Sequence, residues 1–326
     1  MRLLAFIALS AALSALWWQP LAGAGSRPAA PAILGSSVGV AGEKLTFRFK
    51  SSGAARFRCS VDSTRLKICR ARIEPKLKKG GHVVRAQAVD KLGRRSAISV
   101  LAIEVLAASK RATFSASDGT LLSGRVLNPL NGELGLRAIV LAHQANEGQA
   151  IWFPLANRLA ESGYLVLTFN FRGYCSLGAC SQGSPTDYGQ MPLDVAAASA
   201  YVRTLGAQRV TLIGASMGGA EIIRAAAYVL DVQGLVALSP PYDFPPPLDL
   251  DKLRGLSQPK LLVESRNDLT AGSVKRYFDQ MTEQKTLLFY PGSAHGVALF
   301  RGPNGKDLWA KLLVFLRGTS GYDRKA

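Results

Sequence analysis

Arg209-Val-Thr-Leu-Ile-Gly-Ala-Ser-Met-Gly-Gly219 is the stretch that decides how this chain is read. Residues 209–213 form a short apolar run of strand character, and residues 218–230 read as a helix. Between them lies Gly214-Ala-Ser-Met-Gly218, a G-x-S-x-G sequence. Five residues with three fixed positions recur by chance, so the context carries the argument. A serine at a strand-to-helix turn is held on a strained backbone with its hydroxyl exposed. Glycines let such a turn close without side-chain clashes, and the helix N-terminus offers N–H groups to developing negative charge. Ser216 is therefore the candidate nucleophile.

A serine hydroxyl needs a base, and the chain has three histidines. His82 falls in an N-terminal β region, and His143 ends the strand expected over residues 138–142. His295, in Pro291-Gly-Ser-Ala-His-Gly296, follows the last expected strand, where a loop can carry an imidazole over the sheet edge. Elimination selects His295. The base in turn needs an acid to set its tautomer. Asp268, just past a strand end in Leu261-Leu-Val-Glu-Ser-Arg-Asn-Asp268, is the choice. Glu264 is the main rival but falls within the strand, Asp279 lies in a helix, and Asp243 sits in a proline-rich loop.

Outward from this site, apolar runs at 137–142, 164–169, 209–213, 235–238, 259–263 and 285–290 alternate with helical stretches at 151–161, 192–205, 218–230, 273–282 and 306–317. Such alternation predicts an α/β fold, a doubly wound, mostly parallel sheet covered on both faces. Residues 35–106 differ. Period-two runs at 44–50, 55–61, 82–89 and 98–105, with glycine-containing turns between them, predict a small β-sandwich. The division is then a signal peptide (1–24), a Gly/Pro/Ala linker (25–34), the sandwich (35–106), the α/β domain (107–320) and a tail (321–326).

Met1-Arg2, an apolar run from Leu3 to Trp18 and the small-x-small Ala22-Gly-Ala24 predict a cleaved secretory signal peptide. The run is short for a bilayer-spanning helix, which needs about 20 residues, and no later stretch is long and apolar enough. Export makes the four cysteines legible as disulfides. Cys59/Cys69 and Cys175/Cys180 are local pairs in separate regions, so local pairing is the simplest of the three possibilities. Neither spacing suits zinc and no histidine lies near, so no metal and no cofactor are implied. The net charge is +18, and residues 28–106 hold 16 Lys/Arg against 5 Asp/Glu. A basic exported surface can adhere to an anionic cell-envelope polymer, and solubility with an arginine-rich composition accounts for the charge at least as well. Nucleic acid is excluded as the partner, because no binding motif accompanies the charge.

Leu141-Ala-His-Gln144, Phe171-Arg-Gly-Tyr174, Gly214–Gly219, Arg266-Asn-Asp268 and Ser293-Ala-His-Gly296 together resemble the α/β hydrolases, close to the dienelactone-hydrolase-like and serine-aminopeptidase-like branches. The resemblance covers residues 110–318. It implies a Ser216–His295–Asp268 triad, in the chain order Ser, Asp, His expected of that fold. It also implies an oxyanion hole from the N–H groups of Met217 and Ala145, with Gln144 the alternative to Ala145, and a framework role for Arg172. Two departures are Gln144, where glycine is usual, and Ser265 in the acid-bearing loop. Phe57-Arg-Cys-Ser-Val-Asp62, Cys69, Gly81-His82, Ala88-Val-Asp90 and Gly93 resemble a bacterial immunoglobulin-like module, which implies a Cys59–Cys69 disulfide and a structural or adhesive role.

The expected function is that of a secreted serine hydrolase, a carboxylesterase acting on a small-molecule or polymer ester with accessible acyl groups. A peptidase of the same fold and a binding protein with a silent hydrolase domain are the alternatives. Residues 239–258 read as a short proline-rich rim instead of a large lid. Trp152, Tyr174, Tyr242 and Phe244 are the candidates to line a substrate pocket, and each reads equally well as ordinary core packing.

Overall fold

The computed structural model describes residues 27–106, 108–127, 137–228 and 232–319. The signal segment 1–24 and the tail 321–326 lie outside the described residues.

Eight strands build the larger sheet: β1 (Lys110–Ser115), β2 (Leu121–Leu127), β3 (Arg137–Ala142), β4 (Leu165–Phe169), β5 (Arg209–Ala215), β6 (Gly234–Leu238), β7 (Lys260–Ser265) and β8 (Lys285–Tyr290). Their order is β8-β7-β6-β5-β3-β4-β2-β1. The pairs from β4 through β3 and β5 to β8 are parallel, while β1/β2 and β2/β4 are antiparallel. Central strands β4 and β6 are buried at every position, as strands covered on both faces must be, and read as continuous apolar runs. Edge strand β1, Lys-Arg-Ala-Thr-Phe-Ser, alternates wet and buried residues.

Helices α1 (Phe153–Glu161), α2 (Met191–Thr204), α3 (Met217–Tyr228), α4 (Leu250–Arg254), α5 (Ala271–Gln280) and α6 (Gly305–Thr319) cover the sheet. Successive residues of a strand point to opposite faces, and this splits the core in two. Val140, Leu167 and Leu212 pack with Val195, Ile222 and Tyr277 from α2, α3 and α5. Ile139, Leu141 and Ile213 pack with Leu155, Leu159 and Leu312 from α1 and α6. Each fully buried Leu, Ile or Val contributes about 1.5–3 kcal/mol relative to exposure, so the sheet that carries the site is rigid.

The N-terminal region is all β. Strands Val38–Val40, Arg95–Leu106, Gly80–Val89, Arg56–Val61 and Lys67–Cys69 form one sheet in that order, and Ala32–Leu34, Phe47–Lys50 and Arg72–Ile73 form a second. Phe47, Phe49, Phe57, Val84 and Ile103 fill the space between the sheets. One boundary is corrected. Residues 25–34 were expected to be linker, yet Ala32–Leu34 pairs antiparallel with Phe47–Lys50, a non-local partnership that Gly/Pro/Ala composition conceals. Both expected disulfides are in place, with Cα atoms 5.9 Å apart for Cys59–Cys69 and 4.0 Å for Cys175–Cys180.

The two regions share more than a chain crossing. Arg125 in β2, almost fully buried, donates from both terminal nitrogens to Glu43, each at 2.8 Å. Leu106, the last residue of the N-terminal sheet, is buried in the core beneath α1 and α6.

Candidate active site

Ser216 stands at φ +49°, in the left-handed region. For a non-glycine residue that conformation costs about 1–3 kcal/mol and persists only where the surroundings impose it. Here they do. The Ser216 N–H donates to Leu238 O at 2.8 Å, tying the turn to the end of β6, and its carbonyl accepts from Ala220 N at 3.0 Å to start α3. The flanking glycines are sterically required. A Cβ on Gly214 would lie 2.2 Å from Gly218 O, and one on Gly218 would lie 2.3 Å from Ala142 O. Real Cβ atoms do not come so close to backbone, so no other residue fits either position. The side chain of Ser216 is half-buried at the C-terminal edge of the sheet.

His295 and Asp268 are brought together. Nδ1 of His295 is 2.7 Å from Asp268 Oδ2; the Asp268 side chain is 5% exposed and that of His295 36%. The second carboxylate oxygen of Asp268 accepts from Thr270 N at 3.1 Å. An imidazole held through Nδ1–H presents Nε2 as a proton acceptor. The His295 loop is fastened to neighbours of the strand-to-helix turn that carries Ser216, the nucleophile elbow. The Gly296 N–H donates to Ser239 Oγ at 3.0 Å, and the Val297 N–H donates to Gln144 Oε1 at 3.2 Å. Gly296 has φ +55°, and a Cβ there would lie 2.4 Å from Gln144 Oε1 and 3.4 Å from Ala215 Cβ. The segments after β3, β5 and β8 therefore meet at one edge. Gln144, the departure from the usual glycine, fastens the histidine loop with its side chain.

The rival carboxylates are occupied elsewhere. Glu264 is fully buried and accepts from Ser239 Oγ (2.9 Å), Ser265 N (2.7 Å) and Thr270 Oγ1 (2.7 Å). Burial raises its pKa, against the pull of those hydrogen bonds, and the charge of Asp268 adds to the rise. Asp243 is exposed and paired with Arg276 at 2.9 Å, and Asp279 with Lys275 at 2.7 Å. His82 pairs with Asp62 at 2.6 Å within the N-terminal region. His143 is fully buried with both nitrogens engaged: Nδ1 donates to Gln144 O at 2.8 Å, and Nε2 accepts from Phe171 N at 3.0 Å. Burial pushes its pKa down to about 4, so it is neutral and has no nitrogen free to act as a base. Arg172 is framework, bound to Asp194 at 2.6 Å and Asp118 at 2.8 Å.

Beside the elbow a cleft of about 540 Å³ is lined by Asn146, Glu147, Tyr174, Ser176, Thr186 and Tyr188, among others. Tyr174 joins it to the site, since its hydroxyl donates to the Met217 sulfur at 3.7 Å. Of the two expected oxyanion donors, Met217 begins α3 and meets Tyr174 through its sulfur, and Ala145 immediately precedes the cleft residue Asn146. The Cys175–Cys180 hairpin, with Leu177 and Gly178 both at positive φ in its turn, forms part of the wall. Two expectations for the pocket are corrected. Trp152 is fully buried in the core beneath α1 and is not part of this cleft's lining. Tyr242 turns toward α5, donating to Gln280 Oε1 at 2.6 Å with the Arg276 guanidinium 4.1 Å from its ring centroid. Phe244 stacks edge-on against the cleft residue Tyr188 at 4.7 Å. Asn146, Ser176, Thr186 and Tyr188 carried no signal of their own in sequence; only the path of the disulfide hairpin gathers them.

The family model for the alpha/beta hydrolase fold matches residues 137–313, more than half the chain. This chain belongs to the alpha/beta hydrolase family. Among solved structures, this chain resembles the esterase Pf2001 of Pyrococcus furiosus, with 21% identity and a TM-score of 0.54 over 64% of this chain and 92% of that one. It also resembles the esterase RhEst1 of Rhodococcus sp. ECU1013, with 16% identity and a TM-score of 0.52 over 64% and 99%. At such identities the likeness is one of fold. YfhR of Escherichia coli K12, a protein described as uncharacterized, is 31% identical over 115 residues. That match spans 34% of this chain and 39% of the relative's length.

Proposed function

We propose that this hydrolase is an exported carboxylesterase working through a Ser216–His295–Asp268 triad. The observation that carries the reading is the left-handed Ser216 on its glycine-locked turn, at the same sheet edge as a histidine held through Nδ1 by a buried aspartate. His295 Nε2 takes the Ser216 proton as Oγ attacks the ester carbonyl carbon. The carbonyl π electrons move onto oxygen, which the N–H groups of Met217 and Ala145 receive. Collapse of this intermediate expels the alcohol, protonated by His295, and leaves an acyl-serine. Water, deprotonated by the same histidine, then attacks the acyl carbon, and Oγ leaves with the proton that His295 returns, releasing the acid. The cleft beside Tyr174 takes one side of the ester. The N-terminal β region is read as an immunoglobulin-like module, and residues 1–24 as the signal that exports the chain.

The test pairs a fluorophosphonate probe with an aryl acetate. Ser216 should be the labelled residue, and Ser216→Ala should abolish both labelling and turnover with its thermal melting point unchanged. Ester turnover by the alanine variant within tenfold of the parent sinks the assignment. Labelling of Ser216 with turnover of peptides alone would make the protein a peptidase.

A further inference from the structure

The five-stranded sheet of the N-terminal region turns one face inward over Phe57 and Cys59 and the other to solvent. On the outer face cross-strand pairing sets side chains in rows. Ile68, Arg58, Gln87 and Ile98 occupy one row. Arg56, Val89 and Arg95 form the next, and Ser60, Arg85 and Val100 the one on the other side. The aliphatic members are unusually bare: Ile68 is 70% exposed, Val100 61% and Ile98 46%. Arg56, Arg58 and Arg95 converge on a cavity of about 260 Å³ whose lining contains no acid.

Those guanidiniums have little to neutralise them. Of the five acidic residues between 28 and 106, Glu43 is paired with Arg125, Asp62 with His82, Glu74 with Arg72 and Asp90 with Arg94, and the fifth, Glu104, is exposed on the same face but three rows beyond Ile98, about 20 Å along the strand. The guanidiniums of Arg56 and Arg95 have no hydrogen bond or ion pair among the described residues, and that of Arg58 donates only to the Leu66 carbonyl at 2.6 Å. Like charges within one screening length of about 10 Å repel, so the cluster gains nothing within the fold. Bare aliphatic side chains among arginines have the same character. Contiguous apolar surface rimmed by charge marks an interaction site.

We infer that this face docks on an anionic lipid bilayer, its guanidiniums on lipid phosphates and Ile68, Ile98 and Val100 at the headgroup–acyl boundary. Charge complementarity demands an anionic partner, and the aliphatic rows select a lipid surface over a water-soluble polyanion, which would have no use for them. Leu92, 76% exposed between Lys91 and Arg94 at the tip of the hairpin joining two of these strands, extends the same pattern.

The test uses the full mature chain sedimented with vesicles of phosphatidylcholine alone, or of equal parts phosphatidylcholine and phosphatidylglycerol. Binding is expected to the anionic vesicles and not to the zwitterionic ones. Arg56→Glu with Arg95→Glu should lower partitioning at least about tenfold. Ile68→Ser with Val100→Ser should lower it several-fold, and both pairs should hydrolyse a soluble ester like the parent. Arg56→Gln with Arg95→Gln serves if charge reversal impairs folding, and should still weaken binding clearly. Equal binding to both vesicle types, or no effect of any of these variants, overturns the inference. So does undiminished vesicle binding by the serine variants together with equally tight uptake of soluble polyphosphate, which would make the partner a polyanion.

Discussion

In the hydrolase domain Arg125, Arg172 and Arg224 are nearly inaccessible and each holds a carboxylate, whereas in the N-terminal region Arg56 and Arg95 stand on an open sheet face without an acidic partner among the described residues. Burying an ion without its partner costs several kcal/mol, so pairing in the first region is a condition of folding. Exposure removes that condition in the second. Charge in one half is architecture; in the other it is free to meet something outside the molecule.

The strictest test of paired architecture is Asp268. Its work is to hold His295 with the proton on Nδ1 and to stabilise the imidazolium. Asparagine keeps the shape but can present its amide N–H to Nδ1, favouring the wrong tautomer. Turnover of an aryl acetate by Asp268→Asn should fall by on the order of 10²-fold or more, with little change in melting temperature. Glu264→Gln keeps most of its hydrogen bonds, and Asp243→Asn touches only a surface pair, so both should lose far less. Should Glu264→Gln be the crippling change, the acid has been misassigned.

His143 gives the second test. A histidine held neutral with pKa about 4 against an ordinary 6.5 makes the unfolded chain the better proton binder between those values. Its stabilising contribution is complete above pH 6.5 and is lost as pH falls toward 4. The loss is on the order of 3 kcal/mol at about 1.4 kcal/mol per unit. Melting temperatures measured across that window should fall with acidification, and His143→Gln should flatten the fall. An equally steep profile in the variant would place the acid sensitivity elsewhere.

What could be read in advance follows the same division. The elbow was legible because its glycines answer to backbone atoms a few residues or one strand away, and Ser216 and His295 were reachable by motif and elimination. The six apolar runs became strands β3 to β8: in β3 to β7 burial on both faces leaves a continuous signature, while edge strand β8, only partly buried, shows through its aliphatic and aromatic residues. Strands β1 and β2 left none. β1 carries Lys110 and Arg111, and β2 contains Gly124, where a Cβ would lie 2.7 Å from Thr168 O, and Arg125, whose partner Glu43 is 82 residues away. Gln144 looked like a defect in the oxyanion loop, but its partner Val297 is 153 residues distant. Trp152 could be read equally as pocket or core, since an aromatic side chain at the head of a helix serves either.

The contact between the regions supplies a third, smaller effect. Glu43→Gln removes the charge that Arg125 needs while leaving the guanidinium buried. Hydrogen bonds to charged groups and broken buried pairs put the cost at about 1–3 kcal/mol near neutral pH. The wild-type contribution should disappear as pH falls, since the Arg125 hydrogen bond holds the Glu43 carboxyl below its ordinary range. Chemical denaturation at pH 7 and again under acidic conditions tests this, with the gap between parent and variant closing at the lower pH.

The smallest effect is the most direct contrast with Arg125. If the arginines on the open face are surplus to the fold, neutralising them removes repulsion and no partner. Arg56→Gln and Arg95→Gln should each change stability by no more than about 0.5 kcal/mol, the range of surface substitutions away from special features. The sign should favour the variant at low ionic strength, and the difference should shrink toward zero as salt screens the cluster. Denaturation in dilute and in concentrated salt measures both quantities. A destabilisation above about 1 kcal/mol that salt leaves unchanged would mean that these guanidiniums hold the sheet together, and the contrast between structural and available charge would fail at the N-terminal region.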